Sequence, residues 1–108
     1  MRCNTFVRVG AYQANPNQSP KEKLIQILKK AEKDEIDFLC LPEGFLTGYY
    51  SNLEEALTHS LTIEDLNQWV EMTKPYSTTL IVGFNERQGY KLYDSAAIIE
   101  NGKLIGIQ

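Results

Sequence analysis

The chain has 108 residues, 43% of them hydrophobic and 23% charged; these are the proportions of a soluble globular domain, which excludes a disordered or fibrous class, and the length admits one domain with a modest core. The formal net charge is -3 and the pI is near 5.1, so no surplus of Lys and Arg exists to release counterions from a phosphate backbone, and nucleic acid is not expected as a partner. No run approaches the roughly 20 apolar residues of a membrane span, and the N-terminus lacks the apolar centre of a signal peptide, so a cytoplasmic protein without a membrane partner is expected.

In chain order, Phe6 to Gln13 alternates Val7, Val9 and Ala11 against Phe6, Arg8 and Tyr12, the period of a strand with two different faces. Asn15-Pro16-Asn17-Gln18 reads as a turn-rich connector. Ser19, Pro20 and Glu22 then form the N-cap, first-position proline and capping-box pattern of a helix start. Leu24, Ile27, Leu28 and Ala31 recur at helical spacing, opposite a face rich in lysine, so this helix should cover a sheet with one side.

Phe38-Leu39-Cys40-Leu41 is an unbroken apolar run of strand length, which implies a strand covered on both faces. Strand, helix and strand over this length make a βαβ unit with parallel pairing. The second strand meets Pro42, which fixes its own φ and extends the residue before it. Glu43 follows at the strand's carboxyl end, where open α/β sheets place chemistry. A carboxylate there should lose solvation, and that raises its pKa and suits it to accept and return protons.

Asn52 to His59 should be a short helical or irregular segment with apolar contacts from Leu53, Ala56 and Leu57. Thr62 can cap a second long helix, with Glu64 and Asp65 in its first turn and Leu66, Trp69, Val70 and Thr73 facing inward; Lys74-Pro75 ends it. Thr79 to Phe84 is β-rich and reads as a covered strand. Asn85 to Lys91 is polar and contains Gly89, and so reads as a solvent loop. Asn101-Gly102 between two β-rich runs, Tyr93 to Glu100 and Lys103 to Ile107, signals a tight antiparallel hairpin.

The stretch Leu41-Pro42-Glu43-Gly44-Phe45-Leu46-Thr47-Gly48-Tyr49-Tyr50 resembles the glutamate motif of the nitrilase superfamily, the carbon-nitrogen hydrolases. Val7 to Gln13, Leu80 to Phe84, and Leu92 to Ile99 running into Gly102 to Gly106 resemble the family's other segments in order. The resemblance implies an α/β fold, part of an α-β-β-α sandwich with a βαβ start and a C-terminal β-hairpin. It implies that residues 1–108 are the N-terminal part of one hydrolase domain that uses a Glu-Lys-Cys triad. Of that triad only the glutamate matches, as Glu43, the general base. The family's lysine and nucleophilic cysteine fall after Gln108, so the chain alone is expected to be inactive. The substrate implied is a small-molecule amide, carbamoyl compound or nitrile, with no metal or organic cofactor. The partners implied are a second copy of the chain or the missing C-terminal part. A truncated, non-catalytic relative that binds or self-associates is the alternative.

Tyr49 and Phe45, within the motif, are candidates to line the substrate pocket; packing is the competing reading for both. Cys40 precedes the glutamate, where the family has no nucleophile, and reads as a small core hydrophobe. Without a secretory signal a Cys3–Cys40 disulfide is not expected. His59 is the single histidine, which excludes a multi-histidine metal site, and it reads as a surface or helix-end residue. Arg87, Lys91 and Lys103 are not assigned as the triad's lysine. Glu86 reads more readily as a surface carboxylate than as a site residue, and Asp94 stands where relatives commonly carry Asn.

Overall fold

In the computed structural model, residues 6–13 and 19–108 are described. The connector at 15–18 and Cys3 lie outside them. The elements in order are β1 (Val9–Ala11), α1 (Pro20–Lys33), β2 (Phe38–Cys40), α2 (Leu53–His59), a 3-10 turn (Glu64–Leu66) running into α3 (Asn67–Met72), then β3 (Thr79–Gln88), β4 (Lys91–Glu100) and β5 (Lys103–Ile107). The strands form one five-stranded sheet in the order β1-β2-β3-β4-β5. β1, β2 and β3 run parallel; β3, β4 and β5 are antiparallel neighbours. The change falls where the connections change: the two parallel steps have helices between their strands, whereas the antiparallel steps are made by tight turns.

The helix faces follow from the residue pattern. Leu24, Ile27, Leu28 and Ala31 of α1 are buried, as their spacing predicts. They join Leu66, Trp69 and Val70 and, from the sheet, Leu39, Leu80, Val82, Phe84, Ala97 and Ile99 in one core cluster. Fully burying each of the larger side chains is worth about 1.5–3 kcal/mol, so this one interface between sheet and helices dominates the stability. Ser19 does occupy the N-cap of α1, but its hydroxyl makes no capping bond. The start rests instead on Pro20, whose fixed φ suits the first turn.

β2 departs from the sequence reading. Leu39 is buried, while Phe38 is 42% exposed and Cys40 is exposed and free. The described helices that join the core cover one face of the sheet only, and residues of opposite parity look the other way. On that open face Val9, 69% exposed, lies beside Phe38, and Ala11 beside Cys40; Cys40 is therefore not a core residue. Leu53 of α2 is likewise exposed rather than packed, leaving Ala56 as that helix's buried residue.

The expected solvent loop from Asn85 is also strand. β3 continues to Gln88, and β4 begins at Lys91, its direct partner. Cross-strand pairing extends to the tip of a two-residue turn at Gly89 and Tyr90, and backbone hydrogen bonding overrides the polar character of the segment. The second turn is as expected: Asn101 and Gly102 take φ of 49° and 74°, both left-handed, the requirement of a type I′ hairpin. Thr62 and Asp65 cap the third helical segment reciprocally: the Thr62 amide donates to the Asp65 carboxylate at 2.9 Å, and the Asp65 amide donates to Thr62 Oγ1 at 3.3 Å. That segment is shorter than expected and opens as a 3-10 turn, yet Leu66, Trp69, Val70 and Thr73 all face inward.

Candidate active site

The site is built on the edge of β3 that β2 leaves. The Leu41 amide still donates to Ile81 O at 2.8 Å, but Pro42 has no N–H to continue the ladder. The chain then turns tightly. Phe45 N donates to Pro42 O at 3.2 Å, and Thr47 N and Gly48 N to Gly44 O at 3.2 and 2.7 Å. Gly44 and Gly48 adopt φ of 67° and 92°, conformations that side chains rarely tolerate.

This elbow repairs the edge it interrupts. Leu46 N donates to Gly83 O at 3.1 Å, and the Asn85 amide donates to Thr47 Oγ1 at 3.0 Å. One residue further along, Leu61 takes over: its N–H donates to Asn85 O and its carbonyl accepts from Arg87 N, both at 2.9 Å. The polar groups of β3 are thus satisfied by three successive segments, which locks the elbow to the strand.

The approach is close enough to demand a glycine beneath it. A Cβ at Gly83 would stand 2.6 Å from Pro42 O, 2.7 Å from the Glu43 Cα and 2.9 Å from Gly44 N. Gly83 shares a face with Ile81 and Asn85, opposite the buried Leu80, Val82 and Phe84. The Glu43 backbone therefore sits over the open face of the sheet.

Register places the neighbour of Glu43. Asp94 on β4 lies directly across from Asn85, and Ala96 across from Gly83. Glu43 is raised from its ordinary value, first through hydrogen bonding with the Asp94 side chain, then by the negative charge of Asp94, and least by burial. Loss of solvation was the cause expected from sequence. Glu43 is instead exposed, and the second carboxylate does most of the work, because two like charges side by side make proton loss costly.

Tyr49 completes the group. Its phenol is raised by partial desolvation and then by the charges of Glu43 and Asp94. With the residue 63% exposed, the pair of carboxylates is the specific part of that shift. Tyr50 turns the other way, stacking on His59 with ring centroids 4.6 Å apart and planes 6° apart, and so ties the loop to the end of α2. Phe45 is partly buried and packs on the hydrophobic core.

Other candidates fall elsewhere. Glu86 is buried on the helix-covered face, where Ser95 Oγ and Gln88 Nε2 each donate to it at 2.8 Å; it is neither a surface group nor near Glu43. Lys91 and Lys103 stand at hairpin ends opposite Gln88 and Glu100, and the charge of Arg87 acts on Asp65. Among the described residues no three His, Cys, Asp or Glu side chains gather as metal ligands, and no helix is long and apolar enough to cross a membrane. The role of Asn85 and the proximity of Asp94 escape a sequence reading; the parity of Gly83 and Asn85 in β3 is the one signal that could have pointed to them.

The carbon-nitrogen hydrolase family profile matches residues 8–108. The chain belongs to that family. A glutamine-dependent NAD(+) synthetase of Thermotoga maritima is 30% identical to this carbon-nitrogen hydrolase chain, covering 94% of it and 18% of the relative. Among solved structures, a glutamine-dependent NAD(+) synthetase of Cytophaga hutchinsonii superposes with a TM-score of 0.68 at 23% identity, over 94% of this chain and 18% of that one. A carbon-nitrogen hydrolase of Helicobacter pylori superposes with a TM-score of 0.71 at 20% identity, over 94% and 38%. The fold is therefore that of the nitrilase superfamily, and the chain spans less than a fifth of the curated relative it matches.

Proposed function

We propose that these residues form the general-base side of an amide-hydrolysing site, with Glu43 as the base of a Glu-Lys-Cys triad. The observation that carries this reading is the elbow: Glu43 is clamped over Gly83 at the carboxyl end of a parallel strand, and a neighbouring carboxylate raises its affinity for a proton. A carboxylate so placed is a stronger base than one free in water. Membership of the family supports the reaction class. The relatives named as glutamine-dependent favour a primary carboxamide over a nitrile or carbamoyl compound.

In the reaction, Glu43 takes the proton of the triad's cysteine thiol, and the thiolate adds to the amide carbon while the lysine ammonium stabilises the oxyanion. Glu43 returns the proton to the nitrogen as the C–N bond breaks, releasing ammonia or an amine. Water, deprotonated by the same carboxylate, then cleaves the thioester and restores the thiol. Tyr49, beside both carboxylates, is suited to orient the amide, whereas Phe45 supports the loop from the core side. The lysine and cysteine are not among these 108 residues, so the chain by itself should release no ammonia. In a polypeptide that joins it to them, Glu43→Gln should lower ammonia release from glutamine by about 10²–10⁴-fold. Near-normal release by that variant refutes the assignment.

A second reading, a non-catalytic relative that self-associates, is favoured by one observation, the apolar open face around Val9 and Phe38. A concentration-dependent mass in sedimentation, abolished by Phe38→Lys, would support it; a monomer at all concentrations would not.

A further inference from the structure

We infer that Asp94 is a positioning residue of this site, holding the Glu43 carboxyl over the open sheet face through a carboxyl-to-carboxylate hydrogen bond. The inference rests on the reading of Glu43 as the base and adds a residue that the family motif around Glu43 does not contain.

The geometry is rigid on both sides. Asp94 sits within nine consecutive paired positions of the β3–β4 hairpin, from Leu80 opposite Ile99 to Gln88 opposite Lys91. Its direct partner, Asn85, is bound twice to the elbow, by its backbone N–H to Thr47 Oγ1 at 3.0 Å and by Nδ2 to Gly48 O at 3.5 Å. The elbow and Asp94 are thus fastened to the same rung of the sheet. Strand pairing and the bonds of Asn85 thus hold together the backbone segments that carry the two carboxyls.

Two carboxyl groups can hydrogen-bond only while they hold a proton between them. While it is present, the Glu43 side chain is fixed in place. When it leaves, two negative charges face one another, and a cation brought between them takes the proton's role. Asp94 therefore keeps Glu43 aimed in the resting site and creates a demand for positive charge beside it. The triad's lysine is the group that would meet that demand. The groups that face Glu43 are Asp94 from β4 and Tyr49 from the loop. From β3 the neighbour is the uncharged Asn85, since the charge of Arg87 acts on Asp65.

The replacement of Asp94 by Asn is informative, because a carboxamide keeps the shape but donates to an ionised Glu43 without needing a shared proton. Side-chain carboxyl carbon resonances of the 108-residue chain, followed against pH, should show Glu43 titrating above the ordinary glutamate range. In Asp94→Asn and in Asp94→Ala the midpoint should move down. A Glu43 midpoint unchanged in both variants overturns the inference, and so does an upward move. In the polypeptide that also carries the lysine and cysteine, Asp94→Asn should move the acid limb of kcat/KM to lower pH, which a merely structural role would not do. Loss of rate in Glu43→Gln with an unmoved limb in Asp94→Asn refutes this inference alone; full rate in Glu43→Gln refutes the function proposed for the site.

Discussion

Adding one methyl group at Gly83 tests whether the elbow is clamped as described. An ordinary contact for a Cβ begins near 3.4 Å, and the new atom would stand 2.6 Å from Pro42 O, so the two segments must separate by about 0.8 Å. All three atoms in the way are backbone, so no side chain can rotate aside. Overpacking of this kind costs about 1–3 kcal/mol. Against it, alanine restricts the unfolded chain and returns about 0.4–1 kcal/mol. The steric term is the larger, so Gly83→Ala should be destabilised by roughly 1–2 kcal/mol, worth about 4–8 °C of Tm per kcal/mol in a domain of this size. Gly106→Ala is the matched control, since a Cβ there meets nothing within 4 Å. It should lose no stability. Thermal unfolding of both variants beside the natural chain makes the comparison. Moving the elbow also parts Glu43 from Asp94, so the Glu43 midpoint should fall in Gly83→Ala and stay put in Gly106→Ala. Equal stability of the two variants would refute the account of the clamp.

The Glu43–Asp94 pair also carries a stability signature. Glu43 binds its proton more tightly folded than unfolded, so the pair's contribution is most favourable below the unfolded value of 4.5 and is lost as pH rises through the folded value. Asp94→Asn should therefore gain stability relative to the natural chain at neutral pH and not in acid, as read by urea midpoints at the two pH values. Asp65 has the opposite sign, its bonds from Thr62 holding it below 3.8; the contribution present above that value fades as pH falls through the folded value. Thr62→Ala should remove about 1 kcal/mol at neutral pH, and less in acid, by the same measurement. Because the two faces of β2 differ, Leu39→Ala should cost about 2–5 kcal/mol, whereas Phe38→Ala, at a 42% exposed position, should cost less than half as much; equal losses would mean that both faces are covered.

What the sequence by itself determined is whatever a residue settles with its near neighbours. The apolar stripe of α1 recurs every three to four residues, so its buried face is written in the helix. Asn101-Gly102 accepts two left-handed conformations in a row, which dictates the hairpin. Pro42 ends a β ladder because it lacks a donor, so the position of Glu43 at a strand's exit was legible too. Thr62 and Asp65 are near enough in sequence to cap one another.

Only the tertiary structure decided the rest. Phe38 to Leu41 is apolar without alternation, and nothing in that run says which face meets the helices; the packing of α1 and α3 on a single side assigns Leu39 inward and leaves Cys40 out. Asn85 to Gln88 is polar, and only its pairing with β4 makes it strand. The neighbour that raises Glu43 comes from a strand remote in sequence, brought there by cross-strand register that no local period encodes. For that reason the place of Glu43 at a strand's exit was readable from the chain, while the carboxylate beside it had to be found in space.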